Sequence, residues 1–169
     1  MGDTLIIILL VVLDQLSKRG ILAALGEYGE KTLLPCFNFS LTYNTGAAWS
    51  FLAEKTWGIY ALTTCSLLAS LALLIYFYSY RKQLTVIMRL VMSLLIAGSI
   101  GNLLDRIILG KVIDFIDFYV GTWHFPTFNL ADSYLCIAIG LCLVLSLLGQ
   151  LNLPLFNGEE QALSKKNNL

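Results

Sequence analysis

Charge is what this sequence has least of. Asp, Glu, Lys and Arg make up 13% of its 169 residues, against about 25% in an ordinary soluble domain. Hydrophobic residues make up 57% and the mean hydropathy is +0.76, so the shortage excludes an ordinary soluble domain and points to a polytopic membrane protein. The formal net charge is zero, which removes the basic footprint of a nucleic-acid or polybasic surface protein. Histidine occurs once, as His124, and a metal centre is poorly served by that. The four cysteines, Cys36, Cys65, Cys136 and Cys142, have no CxxC spacing. Three of them fall in apolar runs, where cysteine behaves as a small hydrophobe. Neither a disulfide framework nor a zinc site is supported, and a quinone-linked thiol oxidase, another four-helix membrane enzyme, is excluded with them. There is no low-complexity segment and no repeat with a period of 20–50 residues.

What is present is long apolar runs. A hydrocarbon core of about 30 Å takes about 20 apolar residues in a helix. Trp57 to Tyr80 has no charge at all, and a second run follows from about Val86 to Leu104, broken only by Arg89 near its start, in a span of about 86–106 that ends on Asp105 and Arg106. A third occupies about 130–149, with Asp132 close to its beginning. The first, about 4–25, is interrupted by Asp14-Gln-Leu-Ser-Lys-Arg19. Its apolar part alone is too short to cross, so the polar turn is expected to face protein or water. Leu5 to Leu13 resembles the core of a signal peptide, but no Lys or Arg precedes it and no small-residue cleavage site follows. It reads as a retained helix, which makes four spans and puts both termini on one side.

The positive-inside rule does not choose that side firmly. The loop after the second span and the tail carry five cations (Arg81, Lys82, Arg89, Lys165, Lys166), and the other side carries six (Lys18, Arg19, Lys31, Lys55, Arg106, Lys111). Lys31 and Lys55 are diluted in a long connection, and Lys18 and Arg106 sit beside acids. Discounting these tips the balance toward termini inside. The connection at about 27–56 contains Phe37-Asn-Phe-Ser-Leu-Thr-Tyr43, near-alternating and β-favouring, and reads as a small strand-forming element. The connection at about 107–129 is aromatic, with Phe115, Phe118, Tyr119, Trp123, Phe125 and Phe128, a composition suited to the headgroup level. Gly121 and Pro126 are expected to break it into short pieces. The tail, 151–169, is polar.

Acids bordering hydrocarbon are costly and are hypotheses of function by default. Asp114, in Val112-Ile-Asp-Phe-Ile116, and Asp132, in Phe125-Pro-Thr-Phe-Asn-Leu-Ala-Asp132, are the pair to examine. Asn129 suits an N-cap and Asp132 the N3 position, but capping does not account for Asp114. Asp117, three positions on, is ranked as a solvated interfacial acid. Asp14 and Lys18 share a helix face four residues apart and are expected to anchor the first span rather than to touch substrate. Gly98, Asn102 and Arg106 line one stripe of the third span. Ala97 and Gly101 allow close helix approach, whereas an amide at position 102 needs partners of its own. Asn44, in the turn-like Asn-Thr-Gly46, adds a third amide beside Asn102 and Asn129.

With these residues assembled, the chain resembles the lipoprotein signal peptidases, the type II signal peptidases of bacteria. Five blocks match in order: DQLSK at 14–18, YNTGAAWS at 43–50, GSIGNLLDR at 98–106, VIDFI at 112–116 and FPTFNLADS at 125–133. It departs at Trp49, where the family more often has phenylalanine, and 151–169 carries none of the motifs. The resemblance implies an all-α membrane fold of four transmembrane helices with a small β element: a periplasmic β-cradle and a short periplasmic aromatic segment able to act as a flap. It implies a multi-pass protein of the bacterial inner membrane, a monomer, with both termini cytoplasmic and the site near the periplasmic face. It implies an aspartyl endopeptidase with no cofactor that cuts diacylglyceryl-modified prolipoproteins just before the lipidated cysteine, and that binds globomycin as inhibitor. The catalytic pair maps to Asp114 and Asp132, and the other motif positions to Asp14, Lys18, Asn44, Gly46, Gly98, Asn102, Arg106, Asn129 and Ala131. The alternative from a different class is a small ion- or proton-coupled transporter with intramembrane Asp and Arg. It predicts polar residues spread through membrane depth, whereas here they gather at one end. A presenilin-like protease is excluded by the missing GxGD motif.

Overall fold

The computed structural model describes residues 2–46, 57–151 and 153–154. Trp49, part of the second motif block, the end of the cradle segment and nearly all of the tail lie outside the described residues. Four helices, α1 (Gly2–Leu25), α2 (Gly58–Tyr80), α3 (Val86–Leu109) and α4 (Leu130–Leu147), are joined by strands β1 (Glu30–Leu34), β2 (Phe37–Asn44), β3 (Val112–Val120) and β4 (Trp123–His124). Among the described residues three helices, α2, α3 and α4, are long and apolar enough to cross a membrane. α1 is as long, but it carries Asp3, Asp14, Lys18 and Arg19.

α3 is the hub, packed against α1, α2 and α4. In its most apolar window 61% of the residues are buried, against 11% for α2 and 17% for α4, so the outer helices turn their Leu and Ile faces outward, as lipid contact requires. Lipid tails give apolar side chains little reason to leave them, so helix association rests on close packing and internal polar contacts. The small residues supply the close packing. A Cβ on Gly98 would lie 2.5 Å from the Ala131 carbonyl oxygen, and one on Gly101 2.6 Å from Asp14 Oδ2 and 3.1 Å from the Ala131 Cβ. Only glycine at 98 and 101 lets α4 and the acid of α1 settle onto α3. Phe77, Met88, Val91, Ile96, Ala97 and Ala138 fill the rest of the core. Thr85 caps the start of α3 by accepting from the Met88 N–H, and Gly110 ends it in the left-handed conformation at φ 68°, a geometry glycine adopts without Cβ strain.

The strands form one antiparallel sheet in the order β1-β2-β3-β4. The sequence reading placed a strand-forming element near residues 31–43, and β1 and β2 are that element. The aromatic connection was expected in short pieces; instead it contributes a nine-residue strand, β3. Its residues alternate across the sheet, with Phe115 meeting Phe39 edge-on and Phe118 stacked on Phe37. Those cross-strand aromatic pairs outweigh the local breakers. Gly121, at φ 62°, reverses the chain, and the return leg pairs again with β3: Phe115 and Ile116 donate to the Phe128 carbonyl, and Phe128 donates to that of Ile116. Residue 129 is thereby fixed against β3 before α4 begins.

Candidate functional site

The sheet and the helices meet at one end of α3, where most of the buried polar side chains collect. Antiparallel pairing sets Thr42 opposite Asp114 and Asn44 opposite Val112, so β2 carries an amide to the acid on β3. Asn44 Nδ2 donates to Asp114 Oδ2 at 3.2 Å, while its Oδ1 accepts from the Gly46 N–H at 2.8 Å. On α4, Asn129 and Asp132 form a reciprocal capping box, with Asp132 N–H donating to Asn129 Oδ1 at 3.0 Å and Asn129 N–H to Asp132 Oδ2 at 3.3 Å. The capping expected from the sequence is present. Asn129 does more than cap: its fully buried Nδ2 lies 2.7 Å from Asp114 Oδ1, 3.1 Å from Asn102 Oδ1 and 3.3 Å from the Ile113 carbonyl. Asn102 in turn donates to Asp132 Oδ1 at 2.7 Å. Two acids from different elements are therefore joined through two asparagines.

Beneath them lies a buried charge cluster. Lys18 Nζ sits 2.9 Å from Asp14 Oδ2, 2.9 Å from Asp105 Oδ2 and 3.1 Å from Asn102 Oδ1, with Asp14 and Lys18 at most 1% exposed. The polar turn of α1 thus faces protein, as its interrupted hydropathy required. Asp14 Oδ1 also accepts the Ala131 N–H at 2.9 Å, which satisfies one of the open donors at the start of α4. An ion surrounded by three partners in a dry site avoids the penalty of an unpaired buried charge. Arg106 donates to the Gly46 carbonyl at 3.2 Å, and its buried Nε has no hydrogen-bond partner among the described residues.

The positions mapped to the site in the sequence all lie in this assembly. Asp14 and Lys18 come from α1, Asn44 and Gly46 from the end of β2, Gly98, Asn102 and Arg106 from α3, Asp114 from β3, and Asn129, Ala131 and Asp132 from the start of α4. Asp105 and Gln15 belong to it and were not singled out as site residues. Asp105 accepts from Lys18, from Gln15 Nε2 at 2.9 Å and from the Ile113 N–H at 3.2 Å, tying the residue before Asp114 to α1 and α3. Its place three residues after Asn102, on the same helical face, was the available signal. Asp117 requires a correction. Expected to be solvated, it is 2% exposed, with His124 Nδ1 2.9 and 3.0 Å from its two oxygens and Asn38 Nδ2 at 3.3 Å. The strand that forms from the aromatic segment pulls it inside.

Burial acts on Asp114 as a titrating group. Loss of solvation first, and then the charge of Asp132, push its carboxyl up from 3.8 to about 7, against the opposing effect of the Asn44 and Asn129 donors and of Lys18. A buried acid and a half-buried one linked this way titrate as a pair, and a pair holding a single proton can give and take protons in one reaction.

Comparison with known proteins gives a consistent picture. Residues 6–148 match the family model described as signal peptidase (SPase) II. The chain is 42% identical over 146 residues to the lipoprotein signal peptidase of Photorhabdus laumondii, covering 85% of this chain and 86% of that one. It is 42% identical over 142 residues to that of Coxiella burnetii, covering 83% and 86%. Among solved structures it resembles a bacterial membrane enzyme determined in meso at 2.3 Å, with a TM-score of 0.75, 32% identity and 88% of each chain covered.

Proposed function

The chain belongs to the signal peptidase II family, and on that premise we propose that it removes signal peptides from lipoproteins as an aspartyl endopeptidase. The substrate is a prolipoprotein carrying diacylglyceryl on its cysteine, and the bond cut is the one just before that cysteine. Asp114 and Asp132 are the catalytic pair. The observation that carries this reading is the Asn129 side chain, which donates to Asp114 and caps the helix that presents Asp132. In this reading α1 crosses the membrane as the fourth span, its charges neutralised inside the bundle. The protein lies in the bacterial inner membrane as a monomer, with both termini cytoplasmic. The sheet then forms the periplasmic cradle, the 107–129 segment covers bound substrate, and the acids sit at the outer interface.

In the proposed reaction one proton is shared by the pair near neutral pH. In the cycle we draw, Asp114, pushed up to about 7, starts with the proton and Asp132 starts without it. Asp132 takes a proton from a water whose oxygen attacks the scissile carbonyl carbon. Asp114 gives its proton to the carbonyl oxygen, and a gem-diol forms. Asp132 then protonates the departing amide nitrogen, and Asp114 recovers a proton from a gem-diol hydroxyl as the carbon–nitrogen bond breaks. The products are the signal-peptide carboxyl group and the free amine of the lipidated cysteine. Water and two carboxyls suffice, so the reaction uses no cofactor. Arg106 Nε, without a partner among the described residues, is placed to donate to a substrate backbone carbonyl, and Lys18, Asp14, Asn44 and Asn102 position the pair. Gathering of the polar groups at one end, instead of through membrane depth, favours this reading over an ion path.

The test is cleavage by the purified chain of one prolipoprotein with and without its diacylglyceryl group, with globomycin in a parallel reaction. Cleavage of the lipidated form alone, blocked by globomycin, is expected. A well-folded chain that leaves the lipidated substrate intact contradicts the proposal.

A further inference from the structure

We propose that the end of the bundle remote from Asp114 and Asp132 holds the phosphate headgroup of an anionic membrane lipid. A cavity of about 560 Å³ opens there, lined by Tyr78, Ser79, Arg81, Lys82 and Arg89. Arg81 and Lys82 follow directly on the 23-residue apolar helix α2, and Arg89 lies in the first turn of α3, so all three cations stand at headgroup level. Arg89 and Asn102 are separated by about 20 Å of helix at the usual rise, which keeps this pocket clear of the polar site.

The cations are under-neutralised. Among the described residues the acid paired with them is Asp3, and the pairing is loose: 3.4 Å to Arg81 Nε and 3.9 Å to Arg89 Nε. At that distance Arg89 Nε, although buried, has no hydrogen-bond partner among the described residues. Lys82 is exposed and has no ion pair among the described residues. Three donor-rich side chains around a cavity, with one carboxylate among the described residues to share, suit the oxygens of a phosphate diester, which guanidinium groups bind through paired N–H donors. Basic pockets between helix ends at a membrane face recruit anionic headgroups in this way. A free phosphate offers similar oxygens, but the pocket lies where the lipid-facing α2 ends, beside the exposed Val86 and Ile87 at the start of α3, where a headgroup is already present at high local concentration.

The test is native mass spectrometry of the full chain, delipidated in a non-ionic detergent and offered equal amounts of phosphatidylglycerol and phosphatidylcholine. Wild type is expected to retain phosphatidylglycerol preferentially. Lys82→Gln is expected to weaken that retention about fivefold, the usual worth of one cation at an anionic surface, with its thermal unfolding in lipid-free detergent unchanged. Asp3→Asn removes the competing carboxylate and is expected to tighten binding, an outcome a purely structural Asp3–Arg clamp does not produce. Equal retention of the two lipids overturns the proposal, as does unchanged binding by Lys82→Gln or no gain in Asp3→Asn. Displacement of phosphatidylglycerol by millimolar inorganic phosphate overturns the lipid as source, leaving a free-anion site. None of these readouts depends on peptidase activity.

Discussion

Asp114 and Asp117 lie three residues apart on the same strand, and each is 2% exposed. Their odd spacing turns them to opposite faces of the sheet. Asp117 meets a titratable base, His124, across two short contacts and an amide from Asn38. Asp114 meets amides from Asn44 and Asn129, with the charge of another acid close enough to raise its pKa. Burial is common to both, so burial does not identify a reactive carboxyl. The partner does. Asp117 is tied to the hydrogen-bonding partners it faces, whereas burial and the neighbouring charge of Asp132 let Asp114 keep a proton near neutral pH.

The largest effect that sharpens this contrast belongs to Asp132, the other half of the pair. Asp132→Asn is expected to lower kcat by about 10³-fold or more, the scale of a lost acid–base group, while the capping box keeps the variant folded; a loss under tenfold in a cleavage assay contradicts the pairing. Next comes the charge cluster below. Lys18→Met leaves Asp14 and Asp105 facing one another without a cation, and a cost of about 3–5 kcal/mol is expected, read as loss of the unfolding transition or of monodisperse elution in detergent.

The pH dependence separates the two acids more finely. Because the folded Asp114 holds its proton up to about 7 while the unfolded chain releases it near 3.8, folding takes up a proton between those values. Stability from this group is therefore fully present below about 4 and falls as pH rises toward 7. Asp114→Asn is expected to flatten that part of the stability–pH curve, measured by thermal unfolding from pH 4 to 8, and an unchanged slope contradicts the shift. In activity, the same proton predicts a decline of kcat as pH rises above about 7. The smallest effect is at His124, whose side chain is 50% exposed. His124→Gln keeps a donor for Asp117 and is expected to cost about 1 kcal/mol or less, with unaltered cleavage.

Much of this was legible from residue types and spacing. Asp14 and Lys18 at i and i+4, Asn129 and Asp132 at N-cap and N3, and the small residues of α3 are local patterns, and local patterns carry their geometry with them. β3 was not legible. The run Val112-Ile-Asp-Phe-Ile-Asp-Phe-Tyr-Val120 sits between a helix and a Gly/Pro-containing stretch, and its strand identity depends on pairing with β2, some seventy residues earlier in the chain. Asp117 was misplaced for the same reason: once β3 joins the sheet, the face opposite Asp114 brings residue 117 against Asn38 and His124. Asp105 was visible as an acid next to Arg106 but its role was not, because it works through the backbone N–H of Ile113, a contact that only the fold creates.

The central claim is that the acid facing an acid is the reactive one, and a side-by-side assay of Asp114→Asn and Asp117→Asn tests it most directly. Both variants would be purified, matched for monodisperse elution, and given a diacylglyceryl-modified prolipoprotein. The account predicts that Asp114→Asn leaves the substrate uncut while Asp117→Asn still cuts it. An active Asp114→Asn, or a folded but inactive Asp117→Asn, would contradict it.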